Sequence, residues 1–535
     1  MELIRLPEHT RTEAFRVKNS THAKWLRRKR RIAKRLGPRT FKARSRPMLA
    51  GRNIHYDISD RDRAIACGGI GSIHLLARRV GLIDAIDRDV HLFKVHLPYH
   101  ESDHVLNIAY NIITGGDCLQ DLELLRNDEA YLDALGASRI PDPTTAGDFC
   151  RRFESADQVN TLMDAINSVR VGVWKQQPAA FFDRAILDAD GTLAPTDAQC
   201  KEGIDISYDG QWCYHPLVVS LANTKEPLYL LNRPGNRPSH EEASVYIDKS
   251  IALCRDAGFK SILARGDTDF SQTAHLDRWD NAGDVTFLFG MDAMPHLKLK
   301  AELLDKSAWR KLERPPRYEV KTRGRAKPAN VKEKIVEERN FKSLRLRCEH
   351  VAEIDYQPVK CKRSYRLIIS RKTIDVEMGG EKLWDEYRYF FHITNDRVTP
   401  APELVLQANQ RCDQENLIEQ LKNGVKAMKL PVDTLISNWA YMVMASLAWS
   451  LKAWWGLMLP DETRPGRNTQ AKELRAKQKH DLVRMEFKRF VACIVRLPCQ
   501  IIKSGRRLLY RLLSYSAWQE PLLAGVAAWR TRTQC

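Results

Sequence analysis

The sequence predicts an α/β protein whose mixed core carries a β-rich insertion and follows a helical domain and a basic N-terminal arm. Three observations predict it. From about residue 180, short apolar runs and helical patterns succeed one another in the order β-β-β-α-β-α-β. Two of these runs end in aspartates, Ile186-Leu-Asp-Ala-Asp-Gly-Thr192 and Ile262-Leu-Ala-Arg-Gly-Asp-Thr-Asp269. The formal net charge of +19 is also unevenly spread over the 535 residues. Residues 14–56 hold fifteen Lys/Arg and no acid, and residues 463–512 hold fourteen against three acids. Subtracting +15 and +11 from +19 leaves −7 for everything else. Charge concentrated in this way marks a polyanion-binding surface.

Residues 1–56 read as a basic, flexible arm. Lys24-Trp-Leu-Arg-Arg-Lys-Arg-Arg-Ile-Ala-Lys-Arg35 could fold as a helix on a polyanion, with Arg27, Arg28, Lys29, Arg30, Arg31, Lys34 and Arg35 as phosphate contacts; self-repulsion should keep it loose when free. Residues 57–178 read as a helical domain suited to contacting DNA or bracing the core. Short helices are expected at Ala64-Ile-Ala, at Ile73–Val80 and at His104–Ile113. Gly115-Gly116 stops the last of these, Asp117 starts the next, and Pro141-Asp-Pro-Thr-Thr145 introduces another.

The core's first part, 179–291, begins with strands Arg184–Asp190, Ile206–Asn223 (turning at Tyr208-Asp-Gly210) and Pro227–Leu231. Ser239 with Glu242 three residues on suggests a capping box at the next helix. Strand Ser261–Arg265, helix Gln272–Asn281 and strand Val285–Gly290 follow. This order is what a ribonuclease-H-like fold requires, and such a fold needs one more helix carrying a third acid. Residues 292–386 read as a β-rich insertion subdomain. The second part of the core, 387–460, opens with strand Tyr387–Thr394 and leads to the helix after Pro400-Ala-Pro402. Residues 461–535 read as a basic C-terminal helical region, with Phe487, Phe490, Val491, Ile494 and Val495 on one face.

The late helix contains Asn409-Gln-Arg-Cys-Asp-Gln-Glu-Asn-Leu-Ile-Glu-Gln-Leu-Lys422. Steps of four and seven place Arg411, Glu415 and Lys422 within roughly 40° on one continuous helix. That face would carry a carboxylate between two cations. Two strand-end aspartates and one helical glutamate form the ligand set of a two-metal phosphoryl-transfer site, because hard, oxygen-seeking Mg²⁺ takes carboxylates. Asp190 is expected as the first ligand, Asp267 as the second and Glu415 as the third, with two Mg²⁺ ions and Mn²⁺ as a substitute. Asp188, two residues earlier and on the same strand face, is the alternative first ligand. The bland readings are strand-end turn formers for the aspartates and a surface ion-pair stripe for the helix.

Taken together, these segments resemble the DDE transposases of bacterial insertion sequences, group 1 DDE domain, whose last motif is Tyr-x₂-Arg-x₃-Glu-x₆-Lys. The matching stretches are Leu187–Thr192, Arg233-Pro-Gly-Asn236, Arg265–Phe270 and Asn409–Asn416, with Leu124–Asp128, Pro143–Glu154 and Gly505–Leu508 outside the core. The resemblance implies a transposase that cleaves double-stranded DNA at element ends and joins it to target DNA. Its triad would be Asp190, Asp267 and Glu415, with Arg411 and Lys422 on the DNA backbone. It further implies a homodimer or larger assembly on DNA, in the bacterial cytoplasm with the nucleoid. One departure is that the motif's Tyr position is Ala408. The competing readings are a metal-dependent nuclease of the same fold and a catalytically inactive DNA-binding descendant.

No secretory signal is visible, and no membrane partner is expected. Trp439–Leu459 is interrupted by Ser446, Ser450 and Lys452 and reads as a buried helix. The twelve cysteines include no Cys-x-x-Cys pair, which points to free thiols in a reducing compartment. Cys348, His350 and Cys361 lack a fourth zinc ligand at typical spacing.

Overall fold

The computed structural model describes residues 19–37, 54–56, 59, 62–96, 98–314, 329–461, 469–505 and 507–530. The chain forms two compact units. One comprises residues 178–197 and 203–418, and the other the remaining N-terminal and C-terminal residues with 198–202. The fold is mixed α/β with one large mixed sheet.

In the first unit the sheet is built from β1 (Ala185–Gly191), β2 (Leu217–Leu221), β3 (Glu226–Leu231), β4 (Ile262–Gly266) and β5 (Val285–Met291), joined by β6 (Arg310–Lys311), β7 (Lys342–Tyr356), β8 (Tyr365–Met378) and β9 (Glu381–Thr394). Its order is β6-β7-β8-β9-β5-β4-β1-β2-β3. Strands β1, β2 and β3 pair antiparallel, whereas β1, β4 and β5 run parallel. Parallel strands covered on both faces read as continuous apolar runs, and β4 is buried at all five positions. Helix α1 (Ala243–Ala257) connects β3 to β4, and α2 (Leu276–Asn281) connects β4 to β5.

The capping box expected at Ser239 is absent. Glu242 occupies the N-cap with φ of 60° and makes no side-chain cap bond. Buried Arg233 holds this turn instead, donating to the carbonyls of His215 (2.9 Å), Pro238 (3.1 Å), Ser239 (2.9 Å) and Glu241 (2.8 Å). Helix α2 begins at Leu276, four residues after the expected Gln272.

The expected insertion is β-rich, and its strands continue the core sheet. Strand β9 spans 14 residues and pairs with β5 from Phe391↔Met291 to Thr394↔Leu288. The expected boundary between 386 and 387 therefore falls inside one strand. Near the core these strands bury Val351, Ile368 and Ile393; farther out, Leu344 and Trp384 are exposed. Helix α3 (Ala401–Asn409) lays Leu404 and Val405 onto Leu263, Leu288, Leu312, Val351 and Ile368, and Ile186 packs against the same cluster. The face of β1 bearing Ile186 therefore looks toward α3, and by alternation so do Asp188 and Asp190.

The second unit is mainly helical. Helix Leu435–Leu457 is buried from Ser437 to Gly456. The buried Lys452 ammonium donates to the Val483 carbonyl at 2.8 Å and lies 3.6 Å from the Trp449 ring centroid. Among the described residues, no helix is long and apolar enough to cross a membrane. Asp142 caps helix Pro143–Arg151 by accepting from Thr145 N at 2.9 Å, with Pro143 at the first turn. Gly115 ends helix Glu101–Thr114 with φ of 109°.

Three expectations for this unit are corrected. Ala64–Ile65 is a short strand paired with Cys499–Ser504, because the apolar stretch near 500 folds as a hairpin with Arg507–Leu512. The basic C-terminal region is helical over Thr469–Arg484 and Gln519–Trp529, but between them the helix expected around Phe487–Val495 is a short helix, Phe487–Phe490, running into a π-helical turn, Val491–Val495, and then that hairpin. The basic arm is not uniformly loose either. Asn19–Leu36 is helical, with Trp25 packed beside Tyr515 (ring centroids 5.9 Å apart) and Arg28 donating to the carbonyls of Leu512 (2.9 Å) and Ser514 (2.8 Å). The rest of the arm expected at 1–18 and 38–53 lies outside the described residues.

Candidate active site

Strand β1 carries Asp188 and Asp190 on one face, and tertiary structure gives them different partners. Asp188 lies directly opposite Arg265 in the parallel ladder with β4. The pair is bidentate, Nε to Oδ1 at 2.7 Å and Nη2 to Oδ2 at 2.8 Å, with the side chains 1% and 3% exposed. The remaining Arg265 nitrogen, Nη1, donates to the Gln407 carbonyl at 2.8 Å and ties the end of α3 to the sheet. Asp188 is thus committed to holding the core together. Asp190, one pleat further along, receives Arg411 Nη1 at 2.9 Å.

Asp267 follows β4 immediately. It caps the turn Thr268–Phe270, accepting from Asp269 N at 3.0 Å. Gly290 on β5 makes room for it: a Cβ there would lie 2.8 Å from Thr268 N and 3.0 Å from the Asp267 carbonyl carbon. Arg411 Nη2 comes within 3.8 Å of Asp267 Oδ2.

Glu415 stands in the first turn of α4 (Cys412–Glu419). Its neighbour Gln414 is buried and anchors α4 to β2. The Ser220 hydroxyl donates to Gln414 Oε1, and Gln414 Nε2 donates to the Val218 carbonyl at 3.2 Å. The single continuous helix expected from Arg411 to Lys422 is not observed. The chain turns at Gln410–Arg411 between α3 and α4, and Lys422 lies in a π-helical segment, Gln420–Gly424, that groups with the helical unit. The 100° step behind the shared-face expectation holds only for unbroken α-helix.

Asp267 and Glu415 line one cavity of ≈ 330 Å³ with Arg265, Asp292, His392 and Arg411. Ala408 is on its wall, and strand β9 contributes Tyr389 and Phe390. The electrostatics favour a cation. Burial pushes the Asp190 carboxyl up to about 6, with Arg411 pulling it down and Asp267 and Glu415 pushing it further up. Burial likewise raises Asp267, against the pull of Arg411. Burial, reinforced by Arg411, lowers His392 to about 4, so its imidazole is neutral near pH 7.

Among the described residues, no three His, Cys, Asp or Glu side chains stand close enough to enclose a metal ion. At the cavity, the Arg411 guanidinium lies between two of the carboxylates. The Cys348–His350–Cys361 set also does not assemble, since Cys361 Sγ donates to the Thr273 carbonyl at 3.1 Å.

Sequence reasoning passed over Arg265, Gln414, Asp292, His392 and Gly290. Only Arg265 had a legible signal: aligning the two strand-end runs places it opposite Asp188. Of the expected phosphate contacts on the basic helix, Arg27, Lys29, Arg30, Arg31, Lys34 and Arg35 are exposed. Arg28 is turned onto backbone carbonyls.

Asp190 ends strand β1, Asp267 follows β4, and Glu415 opens α4, with Asp267 and Glu415 on one cavity wall. The family described as "Transposase DDE domain group 1" matches residues 62–528, and this chain belongs to it. Among solved structures it is similar to a piggyBac transposase synaptic complex with hairpin DNA. The identity is 11%, the match covers 80% of this chain and 82% of that one, and the TM-score is 0.32. No protein of curated function matches it.

Proposed function

We propose that the protein is a DNA transposase that cuts double-stranded DNA at the ends of its element and joins the freed 3′ ends to target DNA. The observation that carries this reading is that Asp190 and Asp267, at the ends of neighbouring parallel strands, share Arg411, while Glu415 lines the same cavity as Asp267. Strands β3-β2-β1-β4-β5 have the order, and the parallel and antiparallel sense, that a ribonuclease-H-like core requires. Family membership supports it independently.

The chemistry of the donors suits divalent metal, although the three carboxylates do not close around one point here: Asp190 and Asp267 are both raised by burial and further raised by acidic neighbours. Asp190, Asp267 and Glu415 would hold two Mg²⁺ ions, with Mn²⁺ as a substitute. When bound, such ions supply charge neutralisation for in-line phosphoryl transfer. The rest falls to the chain's own groups. The Arg265–Asp188 pair fixes the strand end that presents Asp190. Gln414 orients the turn that presents Glu415, and Gly290 lets the Asp267 turn sit close to β5. Arg411, paired with the acids, and Lys422 are the proposed DNA-backbone contacts. Exposed Arg27, Lys29, Arg30, Arg31, Lys34 and Arg35 supply sequence-independent phosphate contacts. The working form is a homodimer or larger assembly on DNA in the bacterial cytoplasm.

The test uses purified protein, Mg²⁺ and oligonucleotide duplexes carrying the inverted repeats that flank its coding region. Wild type should nick these ends and join a pre-cut 3′ end to a second duplex. Asp190→Asn, Asp267→Asn and Glu415→Gln should each abolish both reactions while retaining DNA binding. Nicking without joining would reassign the protein as a nuclease, and full cleavage by any one variant would remove that residue from the triad.

A further inference from the structure

We propose that Arg411 is a resident counter-cation of the acid cluster: its guanidinium holds Asp190 and Asp267 together in the absence of metal and is displaced from them when divalent ions bind. The inference rests on the metal-binding reading of these acids. One guanidinium serves two carboxylates through different nitrogens, Nη1 at 2.9 Å from Asp190 Oδ2 and Nη2 at 3.8 Å from Asp267 Oδ2. The two acids are far apart in sequence and come from neighbouring parallel strands, so the bridge locks one strand end to the next. Only the planar fork of arginine spans two acceptors this way; an ammonium is a point charge.

Any divalent ion bound by Asp190 and Asp267 meets the positive charge of Arg411, which is hydrogen-bonded to Oδ2 of Asp190 and paired with Oδ2 of Asp267. Guanidinium and metal therefore compete. The second arginine of the site behaves differently. Arg265 is buried, makes two bonds to buried Asp188 and a third to a carbonyl, and leaving would strand an unpaired buried carboxylate. Arg411 is 20% exposed and faces acids that are 14% and 35% exposed. Its backbone lies in the turn between α3 and α4, with Arg411 N donating to the Ala408 carbonyl at 3.3 Å. The side chain can therefore swing into the ≈ 330 Å³ cavity it lines without unwinding a helix. Once released, the fork can bind a phosphate bidentately. The same residue then serves the acids before metal arrives and the DNA backbone afterwards.

The experiment titrates full-length, EDTA-stripped protein with Mn²⁺ and reads free ion by electron paramagnetic resonance, alongside thermal unfolding in EDTA and in Mn²⁺. Arg411→Gln removes the competing charge. It should bind Mn²⁺ at least about threefold more tightly, the scale of one partly exposed ion pair. It should also unfold at lower temperature in EDTA and gain more from Mn²⁺ than wild type does. Arg411→Lys, which keeps the charge and loses the fork, should fall between the two. Arg255→Gln, which removes an exposed pair with Asp284 elsewhere on this unit, should match wild type. A folded Arg411→Gln protein with unchanged or weaker Mn²⁺ affinity overturns the proposal. Should that variant fail to fold, an Arg411→Lys affinity equal to wild type overturns it. Wild-type protein that binds no Mn²⁺ overturns the metal reading itself, whereas normal wild-type binding without tightening in the variants overturns only the displacement.

Discussion

Replacing Asp188 or Asp190 by Asn is the same chemical change made two residues apart on one strand face, and it should separate stability from chemistry. At Asp188 the substitution leaves Arg265 charged, 3% exposed and without its carboxylate. Removing one partner of a buried ion pair costs about 3–5 kcal/mol. Asn can still accept one hydrogen bond, so the lower end, about 3 kcal/mol, is expected at Asp188. At Asp190 the ionised carboxylate is itself unfavourable in the folded state, because its pKa is raised from 3.8 to about 6. A shift of about two units corresponds to roughly 3 kcal/mol at pH 7.5, which Asn relieves while giving up the Arg411 pair. Asp190→Asn should therefore unfold at or slightly above the wild-type temperature.

Differential scanning calorimetry of both variants, run beside Mg²⁺-dependent nicking of end-containing duplexes, tests this. Asp188→Asn should be destabilised yet nick measurably below its transition, and Asp190→Asn should be stable and inactive. A stable, inactive Asp188→Asn protein beside an active Asp190→Asn protein would move the ligand one pleat deeper. Equal destabilisation of the two would refute the assignment of the buried pair.

Gly290→Ala places a Cβ 2.8 Å from Thr268 N, so the Asp267 turn must shift by a few tenths of an ångström. Stability should fall by about 1–3 kcal/mol, and single-turnover cleavage should fall up to roughly 10²-fold through the misplaced acid; unchanged single-turnover kinetics would show that the turn yields freely. Changing Arg27, Arg30 and Arg31 together to Ala should reduce the slope of log affinity against log salt by about 0.9 for each phosphate these side chains neutralise on duplex DNA, and an unchanged slope would place them off the DNA. Acid should weaken the helical unit: burial holds His74 and His104 near 4, against 6.5 for an ordinary histidine. The unfolded chain then takes up protons that the folded one refuses, so stability is intact above about pH 6.5 and declines as pH falls toward 4. Replacing both histidines by Gln should flatten that decline in thermal unfolding followed across the window.

The strand and helix order from 180 to 290 could largely be read from the residues alone; the exception is the expected strand Ile206–Asn223, which divides into Asp205–Ile206 and Trp212–Tyr214 in a small separate sheet and Leu217–Leu221 in the large one. A strand buried on both faces must be a short apolar run, and β1, β4 and β5 are such runs between turn-forming residues. Helix Leu435–Leu457 was legible for a similar reason, since 20 residues so rich in Trp, Ala and Leu have no exposed face to conceal. The three acids and Arg411 were legible as types at strand ends and on a helical segment. Their partners were not. Position at the strand end favoured Asp190 over Asp188, but it is the register of β1 against β4 that gives Asp188 to Arg265 and leaves Asp190 to Arg411. The one-face relation of Arg411, Glu415 and Lys422 failed because a turn and a π-helical segment, invisible to a constant 100° step, intervene. The basic arm looked loose because its charges repel locally. Trp25 and Arg28 find Tyr515 and the carbonyls of Leu512 and Ser514 nearly five hundred residues away. Local periodicity records which side chains avoid water; which charge meets which is decided by long-range register, where a two-residue step changes the partner.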